Sequence, residues 1–535
     1  MKAIQLEIFN KLFSAVAEEM GIVLRRSAFS PNIRERCDFS CAIFDFKGEL
    51  VAQASHIPVH LGAMPETMKH VLPLFDWKPG DVVITNDPFK GGTHLPDITL
   101  VKPVFFEKEL SFFLVARAHH ADVGGKYAGS MAVCTHIDEE GIRIEPEHLV
   151  KEGKLREEFF QRLIKRLRNP GERKGDFNAQ LACLKRGEAR LDELYKKYGK
   201  KILFEMAEEL KNYSFKAMKE LLGRVKEGTY EFTDYLDDDG VSEEKIPIVV
   251  KVKFEEGEVE IDFSRSAKQV KGSVNAPRAV TCSAVYYVFL SLLNTIGEYP
   301  VNAGCFRPIK IITKPGTIVD AVYPSAVAGG NVETSQRIVD VLLGALVSAF
   351  PELIPAGSCG SMNNIAIGNE EFAYYETIGG GMGARPGKDG LSGVHTHMTN
   401  TLNTPVEALE HDYPILIERY LIRRGSGGKG KFKGGDGLVR EYKFRCRASV
   451  TILSERRKLS PYGLFGGEKG KKGENWLIKG DKKVLLPGKV NIEVESGDKV
   501  IIMTPGGGGW GKEEKVKKNF WRKRNDGRKS MEWKI

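Results

Sequence analysis

HLPDITLVKPVFFEKELSFFLVARAHHAD, residues 94–122, is the stretch on which the fold of this chain turns. Residues 98–105 and 110–118 are two apolar runs rich in β-branched and aromatic side chains, the residue types of buried strands. They predict a strand, a turn and a return strand ending at His119. That hairpin sets His94-Leu95-Pro96-Asp97 beside His119-His120-Ala121-Asp122. Two imidazoles and two carboxylates can then surround a divalent ion. Imidazole with carboxylate suits Zn, Mn, Fe or Ni, and the cluster has no soft thiolate. The chain has only 11 histidines, so three of them with two aspartates in one short window point to a site. The expected metal ligands are His94, Asp97, His119 and Asp122. His119 and His120 are adjacent, so on an extended segment their rings face opposite ways. At most one of them is therefore a direct ligand. His119 is the expected one, because an i, i+3 pair such as His119 and Asp122 can converge on one ion in a turn, and His120 is a candidate for proton transfer or is packed. Gly124, just beyond, would let a substrate approach the backbone closely.

Working outward, the strand over 81–85 runs into Asn86-Asp87-Pro88, and Asp87, a catalytic candidate, can ligate a metal or orient a ligand histidine, or else close an Asx-Pro turn. Residues 39–45 and 50–53 predict a first hairpin. Ile4, Ile8, Leu12, Phe13, Val16 and Met20 recur at helical spacing and predict a helix over 2–28. His56 and His60 precede a helix expected over 60–75 and read as structural histidines near the same cavity. Residues 148–223 are charged and helical, with a break at Asn169-Pro170-Gly171. Short strands return over 226–263, and helices over 279–296 and 332–350. From about 415 onward glycine clusters alternate with short strands, and these clusters read as turns. His395 and His397, at alternate positions, are candidates for a second polar wall.

The fold class expected is α+β and multidomain: mixed sheets with helices and a β-rich C-terminal domain. The divisions expected are 1–147, carrying the His/Asp cluster; 148–225, mainly helical; 226–414, α+β; 415–511, β-rich; and 512–535, a basic tail. Net charge is +9, but the tail alone holds ten Lys/Arg against four Asp/Glu, so the rest is nearly balanced. With Trp521 and Trp533 this tail reads as a solvated or subunit-docking extension. No nucleic-acid-binding signature accompanies it. No run of 18 apolar residues predicts a membrane span. The N-terminus lacks the layout of a signal peptide. Eight scattered cysteines without a Cys-x-x-Cys pair fit a cytoplasmic protein. There is no phosphate-binding Gly-x-x-x-x-Gly-Lys-Ser/Thr loop and no Gly-x-Ser-x-Gly elbow.

Residues 35–42 (ERCDFSCA), 86–97 (NDPFKGGTHLPD) and 118–125 (AHHADVGG) resemble the hydantoinase B family. It is also called the N-methylhydantoinase B or acetone carboxylase alpha family, and it is similar to the C-terminal half of ATP-dependent 5-oxoprolinase. Residues 175–180, 272–277, 329–337 and 504–511 extend the resemblance over about 2–511. The resemblance implies a subunit that works with a hydantoinase A-type ATP-binding partner in a hetero-oligomer. The partner phosphorylates a carbonyl oxygen, and the B-type chain opens a cyclic amide such as hydantoin, N-methylhydantoin or 5-oxoproline. The carboxylase branch joins an activated ketone to carbon dioxide instead. The implied metal (Zn, Mn or Fe) falls on His94, Asp97, His119 and Asp122. Arg36 and Arg337 are candidates for holding phosphate or carboxylate bidentately. A scaffold role without catalysis is the third reading, and a convergent His/Asp cluster argues against it.

Overall fold

The computed structural model describes residues 2–54 and 57–513. His56, Trp521, Trp533 and the tail from residue 514 lie outside the described residues. The hairpin expected over residues 98–118 is the centre of a seven-stranded sheet. Its strands are β1 (Phe39–Asp45), β2 (Leu50–Gln53), β3 (Val82–Thr85), β4 (Asp97–Phe106), β5 (Glu109–His119), β6 (Glu147–Lys151) and β7 (Lys154–Leu155), in the order β2-β1-β5-β4-β3-β6-β7. Every neighbouring pair is antiparallel.

The sheet is covered on both sides, which explains why its strands read as near-continuous apolar runs. Period-2 alternation sorts the side chains between two cores. Cys41, Ile43, Ile98, Leu100, Leu114 and Ala116 face Phe13, Val16 and Met20 of the helix Lys2–Ser27 and Phe177 and Leu184 of the helix Pro170–Tyr198. Ala42, Phe44, Val101, Phe113 and Val115 face the opposite core, with Met64, Met68, Val280 and Val288. Each fully buried Val, Leu, Ile, Phe or Met among them contributes roughly 1.5–3 kcal/mol over its exposed state. The two helices meet where Gly187 lies on Met20; a Cβ there would collide with the Met20 thioether and Leu114.

The charged helical stretch begins with β6 and β7, then runs Glu157–Ile164, Pro170–Tyr198 and Lys200–Gly223. Asn169, at φ 50°, makes the expected break before Pro170. Strands β8 (Gly228–Leu236), β9 (Ile246–Glu255), β10 (Glu258–Asp262) and β11 (Ile309–Ile312) form a second sheet, ordered β11-β10-β9-β8. Its buried face (Ile248, Val250, Val252) joins the core of the helices Arg278–Leu293 and Ser335–Leu346.

The remaining strands are β12 (Asn364–Gly368), β13 (Ala373–Glu376), β14 (Ile415–Arg423), β15 (Gly437–Phe444), β16 (Ala448–Leu453), β17 (Glu474–Lys479), β18 (Lys482–Leu486), β19 (Lys489–Val494) and β20 (Lys499–Met503). They make two sheets, β13-β12-β16-β19 and β14-β15-β20-β17-β18. The C-terminal part is β-rich, as expected. However, β12 and β13 pair into it, so a sheet runs across the boundary placed at 414/415. The glycine clusters are packing devices rather than ligand cradles. A Cβ on Gly507 would strike the Met382 carbonyl, and one on Gly435 the Leu391 carbonyl. Among the described residues no helix is long and apolar enough to cross a membrane. All eight cysteines are free.

Candidate metal centre

Three strand ends meet at one end of the middle of the seven-stranded sheet. β5 ends on His119, β4 begins on Asp97, and β1 begins just after Asp38. The register pairs Asp97 directly with His119, and directly opposed residues have side chains within reach of each other. Strand parity then assigns the two histidines. His119 follows Val115 on one face, whereas His120 follows Leu114 and Ala116 on the other.

His94 comes from the tight turn before β4, where the Asp97 N–H donates to the His94 carbonyl at 3.1 Å. His94 Nε2 lies 3.1 Å from His119 Nδ1 and 3.1 Å from Asp97 Oδ1. His119 Nδ1 lies 3.2 Å from the same Oδ1. Two nitrogens and one oxygen thus form a small triangle of ligand atoms, and all three residues are buried. The other carboxylate oxygen, Oδ2, is held by His60 Nε2 at 3.2 Å and by the Thr93 hydroxyl. His60 is fixed in turn by Ser40 Oγ on its Nδ1 at 2.9 Å. The Asn331 amide stands 3.2–3.3 Å from the His94 ring nitrogens, and the Tyr375 ring stacks on His119 with centroids 4.9 Å apart.

The electrostatics suit a cation. Burial opposes the Asp97 charge, but the His94 and His60 rings and the His119 hydrogen bond hold its carboxyl well below the usual range. Burial lowers His119, against the raising effect of Asp97, so the ring is neutral at physiological pH with a lone pair to offer. An N2O donor set of two histidines and one carboxylate fits Zn, Mn or Fe.

The remaining expected site residues lie elsewhere. Asp122 does not join the triangle: its Oδ1 accepts the Gly124 N–H at 2.7 Å, and its Oδ2 accepts the Gly129 N–H and Arg168 Nη1, each at 2.8 Å. It closes the turn after β5. The i, i+3 spacing converges at His94 and Asp97 because that segment turns, and fails at His119 and Asp122 because His119 still belongs to a strand. His120 points into the opposite core, where its Nε2 meets Gln180 Oε1 at 2.9 Å and its ring packs on Phe177. Burial pulls its pKa down to about 4. Asp87 makes the Asx-Pro turn, accepting the Phe89 N–H at 3.0 Å, and also binds Arg143. Gly124, at φ +79°, lies against the Arg166 carbonyl rather than open space. Arg337 is fully buried among Asp234, Asp340 and Glu455. Arg36 touches the site only indirectly: its Nη1 donates to the Tyr375 carbonyl at 3.0 Å, and Asp38 is 3.7 Å away.

Asp38, Asn331 and Tyr375 also line the site; Asp38 and Asn331 fall within segments 35–42 and 329–337 that carry the resemblance, but none of the three is among the expected site residues. The spatial signal for Asp38 is the β1–β5 register. Asn331 and Tyr375 lie hundreds of positions away: Asn331 stands in a segment of the resemblance that does not by itself tie it to His94, and nothing local marks Tyr375. A larger cavity of about 460 Å3 adjoins the cluster. Thr399 lines both spaces, and Pro58 walls the large one between Ile57 and Val59 of the small one. His395 and His397 both line the large cavity. They do so from an irregular segment, with His397 at φ 58°, and not from a strand.

Comparison with known proteins agrees along nearly the whole chain. The profile of the family described as Hydantoinase B/oxoprolinase matches residues 2–513. The 5-oxoprolinase 1 of Arabidopsis thaliana is 42% identical over 538 residues, covering 95% of this chain and 42% of that protein. The chain spans about two-fifths of the length of the curated 5-oxoprolinases it matches. A Pseudomonas sp. protein, named as the candidate B-type subunit of a D-/L-hydantoinase, is 32% identical, covering 93% of this chain and 88% of that one. The crystal structure of the ATP-dependent caprolactamase from Pseudomonas jessenii superposes with a TM-score of 0.89 at 27% identity, covering 96% of this chain and 91% of that one.

Proposed function

The chain belongs to the Hydantoinase B/oxoprolinase family, and from that premise we propose that it is the ring-opening subunit of an ATP-dependent cyclic-amide hydrolase. The observation that carries this reading is the buried triangle of His94, Asp97 and His119 beside a chamber large enough for a small ring. A divalent ion held by these three residues would polarise an oxygen and bring the pKa of water toward neutrality. The chain's own residues prepare the place. Asp97 is kept anionic and His119 neutral. His60 and Thr93 occupy Oδ2 of Asp97, which leaves Oδ1 turned to the two histidines. Asn331 orients the His94 ring, and such outer partners commonly govern how well a ligand set holds its metal. Val59, Val332, Met362 and Met398 surround the cluster and keep bulk water low.

A cyclic amide is a poor electrophile at neutral pH, and phosphorylating its oxygen makes that oxygen a leaving group. We assign that ATP step to a separate A-type chain. This assignment is supported by the Pseudomonas relative, which is named as one subunit, B, of a hydantoinase and is matched over 88% of its own length. A cytoplasmic hetero-oligomer follows as part of the same proposal. The test is co-expression with the candidate A-type chain, then ATP-dependent turnover of hydantoin and 5-oxoproline with and without bicarbonate. Ring opening without bicarbonate is expected. Turnover only of a ketone with bicarbonate would move the chain to carboxylation.

A further inference from the structure

The large cavity contains a feature that the metal cluster does not use. Tyr287, on the helix Arg278–Leu293, lines it, and so does His397. The Tyr287 hydroxyl is 3.5 Å from His397 Nδ1, and the two rings meet edge-on with centroids 5.9 Å apart. On the far side, His397 Nε2 faces Asp340 Oδ1 at 3.7 Å. Both of these atoms are buried without a hydrogen-bond partner. Leaving two such atoms unpaired costs stability, so their alignment calls for a reason. Asp340 Oδ2 is taken by Arg337 at 3.0 Å and Arg456 at 2.7 Å, which leaves Oδ1 as the oxygen free to carry a proton. Burial raises the Asp340 carboxyl to about 7, against the lowering effect of Arg337. Burial lowers His397 to about 4, so its ring is neutral. Contacts of this kind are often long before substrate arrives and tighten around it.

We propose that Tyr287 is the catalytic acid that protonates the departing ring nitrogen of a lactam held in this cavity, with His397 and Asp340 as the positioning residues that resupply its proton. This rests on the ring-opening function proposed above. As the C–N bond breaks, its electron pair stays on nitrogen. The Tyr287 proton forms the new N–H bond, the His397 Nδ1 proton moves to the tyrosine oxygen, and the Asp340 Oδ1 proton moves to His397 Nε2. Asp340 is left as a carboxylate between two arginines. The proton released by the water that adds to the carbonyl carbon is taken up at the Tyr287 oxygen as the relay runs in reverse. The Tyr287 proton passes to His397 Nδ1 and the His397 Nε2 proton to Asp340 Oδ1, so all three groups return to their starting states and atoms and charge balance over the cycle.

A tyrosine acid matters most when the leaving nitrogen is strongly basic. The test therefore compares two rings in the assembled complex with its ATP-binding chain. 5-Oxoproline releases an alkyl amine, whereas hydantoin releases a far less basic ureido nitrogen. Tyr287→Phe keeps the ring and its packing. It is expected to lower kcat roughly 100-fold on 5-oxoproline and less than about 10-fold on hydantoin, with bound metal at the wild-type level. His397→Asn is expected to move the same ratio in the same direction, by less. Equal losses on both rings, or no loss on either, would overturn the assignment by showing a purely structural role or none. Thermal unfolding of each variant separates a folding defect from both. If the wild-type complex opens neither ring, the proposed function itself falls, and this assignment with it.

Discussion

The two ends of β1 carry two clusters of ligand-type side chains, and they are built on opposite principles. At the Asp45 end, Asp45, Glu49 and Glu208 crowd together, and the protein supplies the cation itself. Lys211 Nζ lies 2.7, 2.5 and 2.8 Å from the three carboxylates, and Arg307 adds to Glu49 and Glu208. Despite burial, these carboxylates raise the Lys211 ammonium to about 12. At the Asp38 end, His94, Asp97 and His119 face one another. Among the described residues Asp97 makes ion pairs only with histidines. A cluster that encloses its own ammonium is complete, whereas one whose lone pairs converge on a common point is complementary to an added cation. Arg337 follows the first principle, with its two terminal nitrogens on the carboxylates of Asp234, Asp340 and Glu455.

The largest effect is expected from breaking the open cluster. His119→Ala or Asp97→Asn should abolish bound metal and turnover together, as read by elemental analysis and the coupled ring-opening assay. Next comes the closed cluster: Lys211→Met should leave metal and turnover intact but cost roughly 3 kcal/mol in urea unfolding. That is the low end for removing one partner of a buried pair, because Glu49 and Glu208 keep some solvent. Loss of metal in this variant would erase the distinction between the two ends. Support residues should rank third, with His60→Ala and Asn331→Ala each weakening metal affinity roughly 10–100-fold without unfolding the chain. His120→Gln should change turnover only a few-fold. A severe loss with metal retained would return His120 to the chemistry.

The smallest effect concerns a buried carboxylate that has no ion pair among the described residues. Glu140 accepts the Val327 and Ala328 N–H groups, yet burial raises its pKa to about 8. The folded state therefore holds a proton that the unfolded chain loses near 4.5. Its stabilising contribution is full below that pH and declines as pH rises through about 8. Glu140→Gln should flatten the fall in melting temperature over that range, and an unchanged slope would count against it.

Much of this was legible in the sequence. The hairpin over residues 98–118, the helix at the N-terminus and the opposite facing of His119 and His120 all follow from local periodicity, which the backbone obeys wherever an element is long and buried. The destinations of single carboxylates were not legible. Asp87 and Asp122 have the same neighbours a ligand would have, but each is consumed by backbone N–H groups of its own turn and an arginine from afar. Arg337 has a functional look in its glycine-rich setting. Only tertiary structure reveals the acids from β8, its own helix and residue 455 that surround it. The same long-range assembly hid Asn331 and Tyr375, whose sequence neighbours say nothing about His94 and His119.

The central claim is that three residues, and not the four suggested by spacing, hold the metal. Anomalous diffraction above the absorption edge of the metal found in the purified complex tests it directly. A single peak bonded to His94 Nε2, His119 Nδ1 and Asp97 Oδ1, with Asp122 unengaged, is the predicted result. A peak coordinated by Asp122, or none at this triangle in metal-loaded, active protein, would contradict it.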